Sequence, residues 1–226
     1  NADQIAKLDL HAGDMVRVEK GGEIIPKITG VELHRRPPGA VAVHYPANCP
    51  VCGTALVRDE GEALHYCPNE HGCPPQITRR IEHFVSRKAM DIGGLGGETV
   101  EVLFQAGLVH NVADLYDLDQ AQLLALGKGW GDRSTQLIID GIAASRTVPF
   151  ERVLFALGIR HVGETVAKRI ARSVGSMDRL AQMTPAELTS IDVVGTVIAA
   201  SIKDFFAVAG NRHLVDRLRN AGLNLI

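Results

Sequence analysis

The chain has 226 residues, and its 24 Lys and Arg against 26 Asp and Glu leave a formal charge of −2. That length can bury a sizeable core and hold more than one domain. The charge balance excludes a globally cationic nucleic-acid binder, so any attraction to phosphate must come from local patches and backbone dipoles. Nothing resembles a signal peptide or a membrane-spanning segment, which makes the cytoplasm the expected compartment.

Residues Asn1 to Leu10 read as a short amphipathic stretch, and His11-Ala12-Gly13-Asp14 as a turn. Met15, Val16 and Val18 predict a strand, Lys20-Gly21-Gly22-Glu23 a hairpin turn, and Ile24 to Val31 a second strand. Two strands are too few to fold alone. They are expected to belong to a larger sheet, and the chain to be a fragment.

After the linker Arg35-Arg36-Pro37-Pro38-Gly39, all four cysteines fall in one region: Cys49 and Cys52 as C-x2-C, Cys67 and Cys73 as C-x5-C. Two short loops with Pro and Gly to turn the backbone, joined by a hairpin-length segment, suit tetrahedral thiolate binding of Zn²⁺. Four thiolates leave no open position, so the metal is expected to be structural. Disulfides would need an oxidising compartment, and a redox pair is usually a single C-x-x-C at a helix start. His65 and His71 remain alternative ligands.

Pro74 and Pro75 are expected to end the metal unit, and Ile77 to Met90 to form an amphipathic helix with Ile81, Phe84 and Val85 on one face. Then comes Ile92-Gly93-Gly94-Leu95-Gly96-Gly97-Glu98-Thr99, a glycine-dense turn leading into a helix-periodic run. It recurs as Gly127-Lys128-Gly129-Trp130-Gly131, Ile159-Arg160-His161-Val162-Gly163 and Ile191-Asp192-Val193-Val194-Gly195. The anchors Gly96, Gly131, Gly163 and Gly195 lie 35, 32 and 32 residues apart (131 − 96, 163 − 131, 195 − 163). Such a period marks stacked supersecondary units.

Each unit pairs an apolar-flanked turn with a Ser or Thr near the start of the next helix. Glycine permits positive φ and lets another backbone come close. Consecutive N–H groups beside the positive end of a helix dipole make an anion site, and at a regular period the natural anion is a phosphate polymer. The candidate contacts are Gly94, Gly96, Thr99, Gly129, Gly131, Ser134, Gly163, Thr165, Gly195 and Thr196, with Arg87 and Lys88 just before the first turn. His161 and Val193 replace the first hairpin glycine in copies three and four. Dinucleotide-binding turns are also glycine-rich, but no strand precedes these and the G-x-G-x-x-G spacing is absent. Thr184-Pro185-Ala186-Glu187 predicts a capping box before copy four; Trp130, at a hairpin tip, is read as a packing residue with a base wedge as the alternative, and Phe150, Phe155, Phe205 and Phe206 are assigned to the core.

The order of strand pair, four-cysteine ribbon and four helix-hairpin-helix motifs resembles the C-terminal half of bacterial NAD-dependent DNA ligase. Text such as Lys20-Gly21-Gly22-Glu23-Ile24-Ile25-Pro26-Lys27, Cys49-Pro50-Val51-Cys52-Gly53 and His83-Phe84-Val85-Ser86-Arg87-Lys88-Ala89-Met90-Asp91-Ile92 carries the resemblance. It implies a mainly α fold: an oligonucleotide-binding (OB) barrel remnant over 1–46, a four-cysteine zinc finger over 47–76 and a helix-hairpin-helix domain over 77–226. It implies nick sealing in replication and repair, with nicked double-stranded DNA as partner and Lys20 and Lys27 as barrel-side contacts. NAD and magnesium would serve the whole enzyme. The K-x-D-G lysine that attacks NAD is not in this chain, so the adenylation domain of the same protein would be a partner, the fragment alone would be inactive, and a monomer is expected. A stand-alone scaffolding module of a repair or recombination complex is the rival reading.

Overall fold

Asn1 opens the computed structural model, which describes residues 1–22 and 25–226, by accepting the Asp3 N–H and capping a short helix, α1 (Ala2–Lys7). The strands β1 (Val16–Lys20) and β2 (Pro26–Val31) pair antiparallel, with Val16 opposite Val31 and a bulge between Arg17 and Val18. Glu23 and Ile24, read above as turn and strand start, lie outside the described residues. Arg36 pins the preceding turn: its Nε donates to Asp14 at 2.8 Å and its Nη1 to Asp9 at 3.1 Å. Arg58 forks onto Asp3 at 2.7 and 2.6 Å, tying the cysteine-bearing segment to α1.

These elements belong to the first of two units, Asn1–Pro74 and Pro75–Ile226. The first has little apolar interior. Val18, Ile25 and Val41 are 56%, 74% and 69% exposed, while its buried cluster is Cys49, Cys67 and Cys73 with Cys52 and Leu56 packed alongside.

The second unit is helical: α2 (Pro74–Val85, its first residue at the boundary), α3 (Gly97–Gln105), α4 (Gln120–Leu124), α5 (Asp132–Ser145), α6 (Phe150–Ala156), α7 (Glu164–Val174), α8 (Met177–Gln182), α9 (Pro185–Thr189), α10 (Thr196–Ala207) and α11 (Ala209–Asn220). One core runs from Ile81 to Leu225. Phe150 and Phe206 are buried in it, and Phe155, Phe205 and Trp130 pack half-buried against it.

Helix α2 occupies Pro74–Val85 rather than Ile77 to Met90. The two prolines begin the helix, where a missing N–H is no loss. Its end is set by Ser86, whose N–H and hydroxyl both bond to the His83 carbonyl and so close the last turn early.

The linkers between hairpins are capped, and the caps repeat. Asn111 and Ser176 cap one pair of elements, Asp119 and Thr184 another, each pair 65 residues apart (176 − 111, 184 − 119). Thr184 forms the expected box with Glu187, and Asp119 forms a matching one with Gln122. Hairpins one and two with their linkers are thus repeated as hairpins three and four.

Helix α11 reaches back across this repeat. Arg217 donates to Asp114 at 2.7 Å and Asn111 at 3.3 Å, and also to Asp117. Burial alone would raise the Asp114 carboxyl, but the His110 and Asn111 N–H groups and the Arg217 guanidinium more than offset it, leaving it below 3.8. A depressed carboxyl contributes stability above its unfolded value and loses it as pH falls through the folded one. Arg217→Ala should therefore destabilise the second unit by about 2 kcal/mol at neutral pH. In urea melts the gap between wild type and variant should narrow as the pH falls through the lowered Asp114 range.

Candidate metal centre and nucleic-acid interface

Tight turns bring the cysteines together. The Gly53 N–H donates to the Cys49 carbonyl at 2.9 Å, the Cys49 N–H to Thr54 O at 2.8 Å, and the Cys73 N–H to Asn69 O at 3.0 Å. All four Sγ atoms lie within 4.8 Å of one another, with Cys52 to Cys67 at 3.5 Å and Cys49 to Cys73 at 3.9 Å. Four thiolates at about 2.3 Å from a tetrahedral zinc stand about 3.8 Å apart. The sulfurs therefore fit that ion. Among the described residues the metal-type cluster is these four alone, without His65 or His71. His65 instead stacks on Tyr45 at 4.6 Å.

The Thr54 hydroxyl, hydrogen-bonded to Cys52 at 3.3 Å, draws that thiol down to about 6, while burial pushes Cys67 up. Sequence reasoning misses Thr54, though its place two residues after Cys52 puts it at the tip of the loop. Its hydroxyl favours the charged sulfur that a metal requires.

The four hairpins share a common bend, the second differing by a left-handed Gly127 (φ 87°) where the others carry isoleucine. The third turn residue is left-handed in each: Gly94 at φ 82°, Gly129 at 96°, His161 at 65° and Val193 at 70°. Trp130, Val162 and Val194 each close their turn with an N–H bond of 3.0 Å to the carbonyl of Gly127, Ile159 and Ile191 respectively. Copies three and four thus keep the conformation without the glycine.

A left-handed β-branched residue carries about 1–2 kcal/mol of strain. Val193→Gly relieves it at the expense of about 0.5–1 kcal/mol of unfolded-chain entropy. A net gain of roughly 0.5–1 kcal/mol in denaturant melts is the expected result.

Around the first, third and fourth turns the apolar flanks go inward and the rest outward. Ile92 and Leu95, Ile159 and Val162, and Ile191 and Val194 are buried, while Gly96, Gly131, Gly163 and Gly195 are exposed. Those four glycines are the N-caps of α3, α5, α7 and α10, with φ −85°, −87°, −76° and −83° and ψ 175°, 168°, 175° and 177°. No side chain caps any of the four helices, in contrast to α4, α8 and α9. Any residue can adopt these angles, and a Cβ on any of the four would meet nothing within 4 Å. Neither φ nor packing within the chain explains glycine here. The open space lies where N–H groups of the first helical turn face outward.

Of the other candidates, Ser134 turns its hydroxyl back to the Gly131 carbonyl at 2.9 Å. Thr165 and Thr196 are exposed and Thr99 half-buried. Lys88 pairs with Glu164 at 3.1 Å, which joins the first hairpin's lead-in to the third hairpin's helix. Arg87 offers its carbonyl to Arg152 at 2.7 Å and leaves its own side chain free among the described residues. Lys20 and Lys27 are exposed on the strand pair, near its turn, and belong to the other unit.

A sulfur cage and four identically bent, uncapped helix starts define a zinc-finger-bearing helix-hairpin-helix protein. Residues 48–74 match the NAD-dependent DNA ligase C4 zinc finger domain, residues 1–40 the NAD-dependent DNA ligase OB-fold domain, and residues 152–215 the helix-hairpin-helix motif. The chain is 56% identical to a DNA ligase of Bacteroides fragilis, 52% to one of Christiangramia forsetii and 49% to one of Porphyromonas gingivalis. Each comparison covers this whole chain and 33–34% of the relative. The chain thus carries the zinc-finger and OB-fold domain types of NAD-dependent DNA ligases, is similar along its whole length to DNA ligases, and spans about a third of the length of these curated relatives. It carries the zinc-finger cysteines, a partial OB-fold segment and the helix-hairpin-helix array. No helix among the described residues is long and apolar enough to cross a membrane.

Proposed function

We propose that this chain is the DNA-gripping part of an NAD-dependent ligase that seals nicks during replication and repair. The observation that carries the reading is the set of four N-cap glycines that the fold itself does not require. Their exposed N–H groups take phosphates of nicked duplex, and phosphate contacts position DNA without reading its sequence. Gly94, Gly129 and the residues at N1 to N3, with Thr99, Ser134, Thr165 and Thr196 among them, line those contacts. Arg87 and Lys88 add charge beside the first turn. Lys20 and Lys27 are the proposed contacts on the strand pair.

Cys49, Cys52, Cys67 and Cys73 are proposed to hold one structural zinc, which supplies the interior that the first unit otherwise lacks. Three functional segments, 1–46, 47–76 and 77–226, divide the chain on this reading. The chemistry of sealing uses NAD and magnesium and a K-x-D-G lysine that these 226 residues do not contain. The adenylation domain would supply it, in a cytoplasmic protein acting as a monomer.

Titrating the zinc-loaded chain with labelled nicked duplex should give tight, sequence-indifferent binding whose log K falls steeply with log salt. Adding NAD and magnesium should give no sealing. Salt-independent affinity would remove the phosphate reading, and sealing by the chain alone would refute the division of labour.

A further inference from the structure

The four hairpins share a bend but not a charge. Over matched windows, from four residues before each anchor glycine to eleven after, the net charge is −2 for residues 92–107, 0 for 127–142, +3 for 159–174 and −1 for 191–206. In the third window Arg160, Lys168, Arg169 and Arg172 outweigh Glu164, and Glu164 is itself held by Lys88. In the fourth, Asp192 and Asp204 outweigh Lys203.

Internal partners sharpen the contrast. Lys203 donates to the carbonyls of Ala181 and Met183, and Arg212 to those of Phe206 and Ala207. Arg217 and Arg219 are held by Asp114, Asp117, Asp178 and Asp216. The cations near the fourth hairpin are thus engaged, Arg169 of α7 with Asp192 at 4.0 Å among them, and the exposed side chains at its tip are Asp192, Val193, Thr196 and Val197. Lys168 and Arg172, by contrast, are exposed and have no ion-pair or hydrogen-bond partner among the described residues.

They lie four apart on one face of α7, about 7.5 and 13.5 Å along the helix from its Gly163 cap. Side chains on a helix lean toward its N-terminus, so both cationic ends incline toward that cap. The helix end and the two cations thus present one continuous anion-attracting surface.

We infer that the grip on DNA is graded: the third hairpin is its electrostatic anchor, with Lys168 and Arg172 contacting phosphates that flank the one at Gly163, and the fourth hairpin contributes least. This rests on the DNA-binding reading above and assigns two contacts outside the hairpin motif itself. Glycine in the first two copies and cations in the third solve the same problem by different means.

The test uses the zinc-loaded full chain and labelled nicked duplex at several sodium chloride concentrations. Lys168→Ala with Arg172→Ala should weaken binding roughly ten-fold at low salt and make the log–log slope shallower by about 1.8, at about 0.9 per lost phosphate contact. Lys168→Arg with Arg172→Lys should keep the wild-type slope. Gly163→Val should weaken binding at least ten-fold and Gly195→Val by less than about two-fold, with circular dichroism showing that all variants fold.

An unchanged slope in the double alanine variant, or equal losses at Gly163 and Gly195, would overturn the graded grip while leaving DNA binding intact. Wild-type protein that fails to bind duplex at low salt would instead remove the parent reading, and this one with it.

Discussion

Gly131→Val is expected to lower affinity for nicked duplex by about ten- to a hundred-fold, the worth of one or two charge-assisted hydrogen bonds to phosphate. The fold should tolerate it. Gly131 sits at φ −87° and ψ 168°, open to any residue, and a Cβ there meets nothing within 4 Å. Valine is a poorer cap than glycine, so stability should fall by no more than about 1 kcal/mol.

Gly131→Ser separates the two effects. Serine is a good cap, so the melting temperature should hold or rise while affinity still drops, because the new side chain occupies the space that a phosphate oxygen needs. If Gly131→Ser and Gly131→Val both bind like wild type, the first turn of α5 does not meet DNA.

The second large effect lies in the other unit. Cys49→Ser should abolish stoichiometric zinc and unfold the segment around residues 47–74, whereas the helical signal of residues 75–226 should persist. Metal binding to such a site is folding free energy, about 10–16 kcal/mol for small zinc modules at neutral pH. The first unit has no comparable alternative: its strands expose Val18 and Ile28, and its buried cluster is mainly sulfur.

A chelator should act as the mutation does, in proportion to zinc removed by mass spectrometry. A Cys49→Ser protein that keeps one zinc and native amide exchange in this segment would contradict the four-sulfur site. Zinc binding needs deprotonated thiols, so uptake should become progressively weaker as the pH is lowered.

Much of this is legible in the residues because the relevant interactions are local. The cysteine loops close within a few residues and so do the hairpins, so spacing alone predicts them. The Thr184 box is readable for the same reason. The box at Asp119 carries the same signal, because Asp119 and Gln122 stand three apart just as Thr184 and Glu187 do.

Other features resist a local reading. The start of α2 at Pro74 depends on whether a proline begins a helix or ends a loop, and both uses share one sequence signal. The left-handed His161 and Val193 go against their residue types, and only the imposed turn keeps them there. Arg217 meets acids 100 or more residues away, which no spacing rule records.

The His161 and Val193 turns have one more implication. A docking surface built of main-chain amides is encoded by curvature and not by side-chain identity, so it survives substitution at its rim as long as the loop path is kept. Such a surface can drift in sequence without surrendering its job, and its weak points are the few places where any atom beyond hydrogen would stand in the way.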